Sequence, residues 1–343
     1  MRVLIASIQV PFIHGGSELM TNGLRDALLR KGFEAEIVYM PFKFFPESEV
    51  ERAMRNYLSY DFNSFNGYKI DLMIALQFPA FYAKHENSSL WLMHQHRAVY
   101  ELYKEKEASR ELKELRSKIK EYDDIFLASF KRKYAMSKNV ANRALKYNGV
   151  ETTPLYHPPF NEDKFFCEDD LGYVFFPSRL EELKRQDLLI EAMKYVKTPI
   201  KALIAGEGGQ RNRYEEMIKK NSLNDKVRLI GRISEEEKRV LYARSLAVVF
   251  TPFDEDYGYV TLEAMLSEKP VITCKDSGGV LEFVTDGENG FICENDPKDI
   301  AEKLDILYEN RDFAKKMGER GFDIYKQKDI SWQKVVSALT EEI

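Results

Sequence analysis

The sequence predicts an α/β protein made of two doubly wound parallel-sheet domains, and three observations point there. Short apolar runs of strand length alternate with helical patterns along the whole chain, as expected of parallel strands buried on both faces. At 343 residues the chain is long for one domain and natural for two. A polar stretch at Pro154–Asp170, containing His157-Pro-Pro, interrupts the alternation, which restarts at Tyr173. The expected divisions are residues 1–165, residues 166–328, and a C-terminal helix at 329–343 that packs back on the first domain.

In the first half the apolar runs predict strands at Val3–Ile8, Ala35–Tyr39, Leu72–Leu76, Leu90–His94 and Ile125–Ala128. Helical spacing falls between them, at Ser17–Lys31, Arg97–Glu121 and Lys131–Tyr147. In the second half the strands are Tyr173–Pro177, Lys201–Ala205, Val227–Ile230, Leu246–Phe250 and Val271–Thr273, with a short addition at Phe291–Cys293. Helices there are Gln186–Tyr195, Asn212–Asn221, Glu235–Ala243, Tyr259–Ser267, Pro297–Asn310 and Arg311–Lys326. The last, Ile330–Ile343, gathers Trp332, Val335, Val336 and Leu339 on one side.

Composition excludes several classes. Net charge is −5, unevenly spread: residues 1–165 hold 24 basic and 21 acidic side chains (+3), the remainder 27 and 35 (−8). That asymmetry is too mild for a nucleic-acid partner but compatible with an anionic surface or a phosphorylated acceptor. Three cysteines, Cys167, Cys274 and Cys293, have neither metal-like spacing nor an even count, which favours a reduced, cytoplasmic setting. The opening Met1-Arg-Val-Leu-Ile-Ala-Ser reads as a strand rather than a secretion signal, and no apolar run reaches membrane-spanning length.

The most informative stretch is Glu255-Asp-Tyr-Gly-Tyr-Val-Thr-Leu-Glu263. A strand that empties through a glycine-bearing loop into a helix aims backbone N–H groups and the positive helix end at one point, which suits phosphate. The two glutamates flank that point with acceptors for sugar or ribose hydroxyls, so the pattern suits a nucleotide-sugar; the plain alternative is a solvated acidic helix face. Arg179 and Lys184 stand in an earlier strand-to-helix loop, where a fork and a point charge can meet one phosphate group. Gly206-Glu-Gly-Gly209 and Gly231-Arg232 each follow a strand and line the same edge. In the first domain, His14-Gly15-Gly16 follows strand one without the spacing of a dinucleotide fingerprint. His94-Gln-His96-Arg97 ends a strand; a His-x-His metal role lacks a third ligand, and structural capping is the rival. No metal or cofactor is expected.

Taken together these motifs resemble the retaining glycosyltransferases of family 4 (glycosyltransferase group 1), which have the GT-B fold of two Rossmann-like domains facing each other across a cleft. Glu255–Met265 resembles their E-x7-E signature. Phe176-Pro-Ser-Arg-Leu with Lys184, Ala205-Gly-Glu-Gly208, Gly231-Arg, Lys269-Pro-Val-Ile, Gly278-Gly-Val-Leu-Glu282 and Asp286-Gly-Glu-Asn-Gly290 follow in the family's order. Gly15-Gly16-Ser-Glu and Ala135-Met-Ser137 match too, so the likeness covers nearly the whole chain.

The resemblance implies a role for each residue. Arg179 and Lys184 would hold the donor diphosphate, Glu263 the ribose, and Glu255 the transferred sugar. Gly15, Gly16, Gly206, Gly231, Arg232, Gly258, Tyr259, Val260 and Thr261 would contact the donor. His94 would sit beside its sugar, with His96 and Arg97 as acceptor-side candidates. Asp256, Tyr257 and Tyr259 depart from the residues more usual in the family, which loosens any inference about the sugar. The implied activity is transfer from a nucleoside diphosphate sugar, UDP first, to a hydroxyl of a glycan, lipid-linked or small-molecule acceptor. Rival readings are a GT-B epimerase or phosphorylase, and a silent nucleotide-sugar-binding subunit. Helix Arg97–Glu121, with Tyr100, Leu102 and Tyr103 among charges, offers either a peripheral membrane contact or a solvated face.

Overall fold

The computed structural model describes residues 1–13 and 15–341; His14 and the last two residues lie outside the described residues. The chain divides into two compact units: residues 1–160 with 331–343, and residues 161–330. The switch thus comes at Phe160, five residues ahead of the sequence reading, and the return at Ser331, two residues after it.

The first unit is built on a six-stranded parallel sheet. Its strands are β1 (Arg2–Gln9), β2 (Glu34–Pro41), β5 (Leu72–Ala75), β6 (Ser88–Leu92), β7 (Arg132–Ala135) and β8 (Thr153–Pro154), ordered β2-β1-β5-β6-β7-β8. A two-stranded hairpin of β3 (Ser64–Phe65) and β4 (Tyr68–Lys69) stands apart. Helices α1 (Gly16–Arg30), α2 (Glu47–Ser59), α3 (Arg110–Ser129) and α4 (Lys138–Asn148) supply the crossovers. Serine caps fix two helix starts: Ser109 accepts from Leu112 N–H and Ser137 from Val140 N–H.

Three expectations are corrected. Arg97–Glu121 is not one helix: Arg97–Val99 is a single 3-10 turn, and α3 begins only after the Ser109 cap. Ile125–Ala128 is not a strand but the last turns of α3, whose buried stripe runs Leu115, Ile119, Asp123, Leu127. An apolar run of four cannot by itself tell a strand from the end of a helix, and here the i, i+4 stripe decides. The strand is the amphipathic Arg132–Ala135, which the expected helix from Lys131 had covered.

The second unit has strands β9 (Tyr173–Pro177), β10 (Lys201–Ala205), β11 (Val227–Gly231), β12 (Ala247–Val249), β13 (Val271–Cys274) and β14 (Gly290–Cys293). All pair in parallel, in the order β11-β10-β9-β12-β13-β14. Between them run α5 (Gln186–Ala192), α6 (Arg211–Lys220), α7 (Glu235–Ala243), α8 (Tyr259–Leu266), α9 (Pro297–Glu309) and α10 (Arg311–Gln327). Val174, Phe175, Phe176, Val248, Val249, Ile272 and Ala264 are fully buried, so the sheet is covered on both faces. Strand order reverses between β9 and β12, and in an open α/β sheet the crevice outside the carboxyl ends at such a reversal is the ligand site.

The last helix, α11 (Trp332–Thr340), belongs to the first unit. Its Val335, Val336 and Leu339 are buried, Ser89 Oγ donates to Leu339 O at 2.9 Å, and Trp332 lies over Gly23 of α1. A Cβ at Gly23 would stand 2.4 Å from the indole, so only glycine admits this packing.

Candidate active site

The carboxyl ends of β9 and β12 carry the loops that hold Arg179, Lys184 and Glu255. Loop 178–185 ends in a 3-10 turn, Glu182–Lys184, and residues 250–258 run without regular structure into α8. Backbone bonds join the two loops to the next one: Phe253 N–H donates to Leu183 O, Asp254 N–H to Asp276 O, and Glu255 N–H to Ser277 O. Gly279 N–H returns to Glu255 O at 2.8 Å. Lys184 Nζ then lies 2.5 Å from Glu255 Oε2, over the Phe250 ring at 5.6 Å from its centroid. Both side chains are about four-fifths buried, which strengthens the pairing relative to one in open water.

Helix α8 starts at Gly258, whose φ of +86° is left-handed, and no side chain caps it. A Cβ there would come within 2.9 Å of Val280. From Thr261 to Leu266 the helix is buried all round, so its polar members stand out. The Thr261 hydroxyl is buried with no hydrogen-bond partner among the described residues, a donor left over in the first turn. Glu263 is also buried, and both its oxygens are engaged: Tyr242 donates to Oε2 at 2.8 Å and Lys238 to Oε1 at 2.9 Å. Burial pushes the Lys238 ammonium down, yet Glu263 and Glu235 outweigh it and hold it above the ordinary lysine value. Burial and the same carboxylate push the Tyr242 phenol well up, so it stays a donor. A carboxylate accepts about four bonds, so Glu263, fixed by these two donors, keeps lone pairs for a vicinal diol.

The glycine turns form the other flank. Gly206 N–H donates to Gly231 O at 2.8 Å, and Ser178 N–H to Ala205 O at 2.9 Å. A Cβ on Gly206 would lie 2.0 Å from Ser178 O, so this glycine lets loop 178–185 approach its neighbour. Arg179 and Arg232 are exposed, and neither guanidinium has a partner among the described residues. Tyr259 and Val260, in the first turn of α8, are half-buried.

The remaining candidates lie on the first unit. Gly15 and Gly16 start α1, where Gly15 N–H donates to Glu18 Oε2 at 3.2 Å. His94 is half-buried at the end of β6, its Nδ1 2.9 Å from Gln95 O. His96 is buried, with its ring centroid 5.0 Å from Phe78 and 6.3 Å from Phe42. Burial, then His94, lowers its pKa to about 4, so it is a neutral core histidine. Arg97 is ion-paired with Glu101, which Arg143 also reaches at 3.1 Å. Sequence reasoning missed Arg185, Tyr242, Lys238 and Asp276. For Arg185 the signal was the Lys184-Arg185 pair, and for Asp276 the Asp276-Ser-Gly-Gly279 run after a strand; Tyr242 and Lys238 carry no local mark.

Two parallel-sheet Rossmann-like units, one with an anion-suited helix start flanked by glutamates at its strand-order reversal, define the GT-B class of α/β protein. Residues 160–323 match the family "Glycosyl transferases group 1", and the chain carries a domain of that family. An uncharacterized glycosyltransferase of Methanocaldococcus jannaschii is 32% identical over 216 residues, covering 62% of this chain and 57% of the relative. The chain spans about half the length of the curated relatives it matches. Sucrose-phosphate synthase of Thermosynechococcus elongatus shares the fold at a TM-score of 0.77 and 17% identity, over 97% of this chain and 96% of its own. HepE of Anabaena, solved with UDP-glucose, does so at 0.70 and 18%, over 99% and 98%.

Proposed function

We propose that this protein is a retaining glycosyltransferase that moves a sugar from a nucleoside diphosphate sugar to an acceptor hydroxyl. The observation that carries the reading is the Lys184–Glu255 pair in the loop that leads into α8, with Glu263 fixed one helix turn past the helix start. The group that needs help in such a transfer is the departing diphosphate. Lys184, the exposed Arg179 and the α8 N-terminus stabilise its charge, and the reading assigns that task to them rather than to a metal ion. Glu263, held by Lys238 and Tyr242, accepts the ribose hydroxyls. Glu255 serves the transferred sugar, with its charge set against the Lys184 ammonium.

Retention follows if the acceptor hydroxyl attacks from the face the diphosphate leaves, its proton passing to the leaving phosphate oxygen as the new glycosidic bond forms. No side chain is then required as a general base. Gly15, Gly16 and His94 keep their assignment to the donor sugar, and Arg97 to the acceptor, which is a glycan, a lipid-linked sugar or a small molecule. His96 acts through packing. UDP is the first nucleotide to try, since the Anabaena fold relative was solved with UDP-glucose.

The test is acceptor-dependent release of nucleotide from UDP-glucose, UDP-N-acetylglucosamine and GDP-mannose, with the product anomer read by NMR. The proposal predicts release from at least one donor only when an acceptor is added, and an α-linked product from an α-donor. Release without acceptor, or an inverted product, contradicts it.

A further inference from the structure

Lys184 and Arg185 are adjacent and alike in charge, yet their side chains do different things. Arg185 has φ +53° and ψ +44°, a left-handed backbone that a side-chain-bearing residue adopts only when its surroundings demand it. The demand is visible. Its Nε donates to Thr251 O at 2.7 Å and one terminal nitrogen to Pro252 O at 2.8 Å, carbonyls of the irregular loop just past β12. The same fork takes both oxygens of Asp276, at 2.6 and 2.9 Å. Asp276 also accepts from Asn295, and its own carbonyl receives Asp254 N–H. One guanidinium therefore ties the loop of Lys184 to the loop of Glu255 and to the loop after β13. A lysine, with one point charge, cannot reproduce the bidentate fork and the two carbonyl bonds together.

We propose that Arg185, anchored by Asp276, is a positioning residue of the transfer site: it sets loop 251–255 so that Glu255 meets Lys184. Its catalytic meaning rests on the glycosyltransferase reading, but its geometric content can be tested without turnover. Acylation of folded protein by acetic anhydride, followed by mass spectrometry, reports how free each lysine amine is. Lys238, held by Glu263 in the same unit and similarly buried, is the internal control.

In Arg185→Ala the Lys184 rate should rise about fivefold or more towards that of Glu255→Ala, because the amine loses its carboxylate partner and becomes accessible to the reagent. Lys238 should stay within about twofold of wild type, since the side-chain bonds of Arg185 go to Thr251, Pro252 and Asp276 and not to Lys238 or Glu263. Arg185→Lys should recover less than half of the protection. Asp276→Asn, which keeps the anchor's shape, should fall between wild type and Arg185→Ala and serves if the alanine variant does not fold. Where transfer is measurable, kcat should fall while the affinity for UDP changes little. An unchanged Lys184 rate in a folded variant overturns the proposal. So does a parallel rise at Lys238, which would mean a general loosening. If the wild type transfers no sugar, the functional reading fails while the labelling result still decides the role of Arg185.

Discussion

Lys184 Nζ lies 2.5 Å from Glu255 Oε2 although the residues are 71 positions apart, and no regular element carries Glu255. The pairing depends on three loops meeting at the strand-order reversal. Lys184→Ala and Glu255→Ala should each lower sugar transfer about a hundredfold or more, as loss of a group acting on transition-state charge often does. Initial rates with a saturating donor check this, and Lys184→Ala should in addition weaken UDP binding.

Glu263 and Lys238 form the more buried pair, with side-chain exposures of 7% and 15%. Removing Glu263 leaves the buried Lys238 ammonium with only the exposed Glu235 carboxylate, at 2.9 Å. Glu263→Gln should therefore cost the second unit about 3 kcal/mol in urea denaturation, within the range for severed buried pairs. Adding Lys238→Met should return part of that loss by removing the stranded ammonium. Additive losses in the double variant would contradict the coupling.

Gly206 and Gly209 make a matched test of the glycine turn. A Cβ at Gly206 would lie 2.0 Å from Ser178 O at a φ of +134°, whereas one at Gly209 meets nothing within 4 Å. Gly206→Ala should push loop 178–185 aside and weaken UDP binding about tenfold or more, since overlap and unfavourable backbone act together. Gly209→Ala should bind as the wild type does.

Stability of the first unit should respond to pH in two opposed ways. His96 falls from 6.5 to about 4, burial being the main cause, so its neutral form is favoured in the fold. Its contribution is complete above pH 6.5 and is lost as pH falls towards 4. Asp123 rises from 3.8 to about 7 by burial, against the hydrogen bonds from Tyr82 and Tyr100. It costs stability increasingly as pH rises from 3.8 to 7. His96→Leu should flatten the acid limb, and Asp123→Asn should stabilise most at pH 8, by a few kcal/mol at most. Denaturation midpoints between pH 4 and 8 check both signs.

The strands of the second unit were legible because runs such as Tyr173-Val-Phe-Phe are apolar on both faces, as a covered parallel sheet requires. Arg179, Lys184, Glu255 and Glu263 could be singled out because they lie in or after loops that follow strands, where such folds bind ligands. What each side chain touches was not legible. The Lys238–Glu263 and Arg185–Asp276 contacts join residues 25 and 91 positions apart, and no local spacing records them. Ile125–Ala128 misled for the opposite reason: the run is apolar, but its meaning depends on Leu115 and Ile119 earlier in the same helix. His96 was readable as a polar group at a strand end, while the Phe42 and Phe78 rings that bury it come from elsewhere in the chain.

The central claim is that the second unit holds a nucleoside diphosphate sugar through Lys184 and Glu263. The direct measurement is calorimetric titration of UDP, UDP-glucose and GDP-mannose into the full chain and its Lys184→Ala and Glu263→Ala variants. The account predicts saturable one-to-one binding of at least one nucleotide, weakened about tenfold or more in each variant, as expected for loss of a charged hydrogen bond. Undiminished affinity in both folded variants, or no binding of any of the three by the wild type, contradicts it.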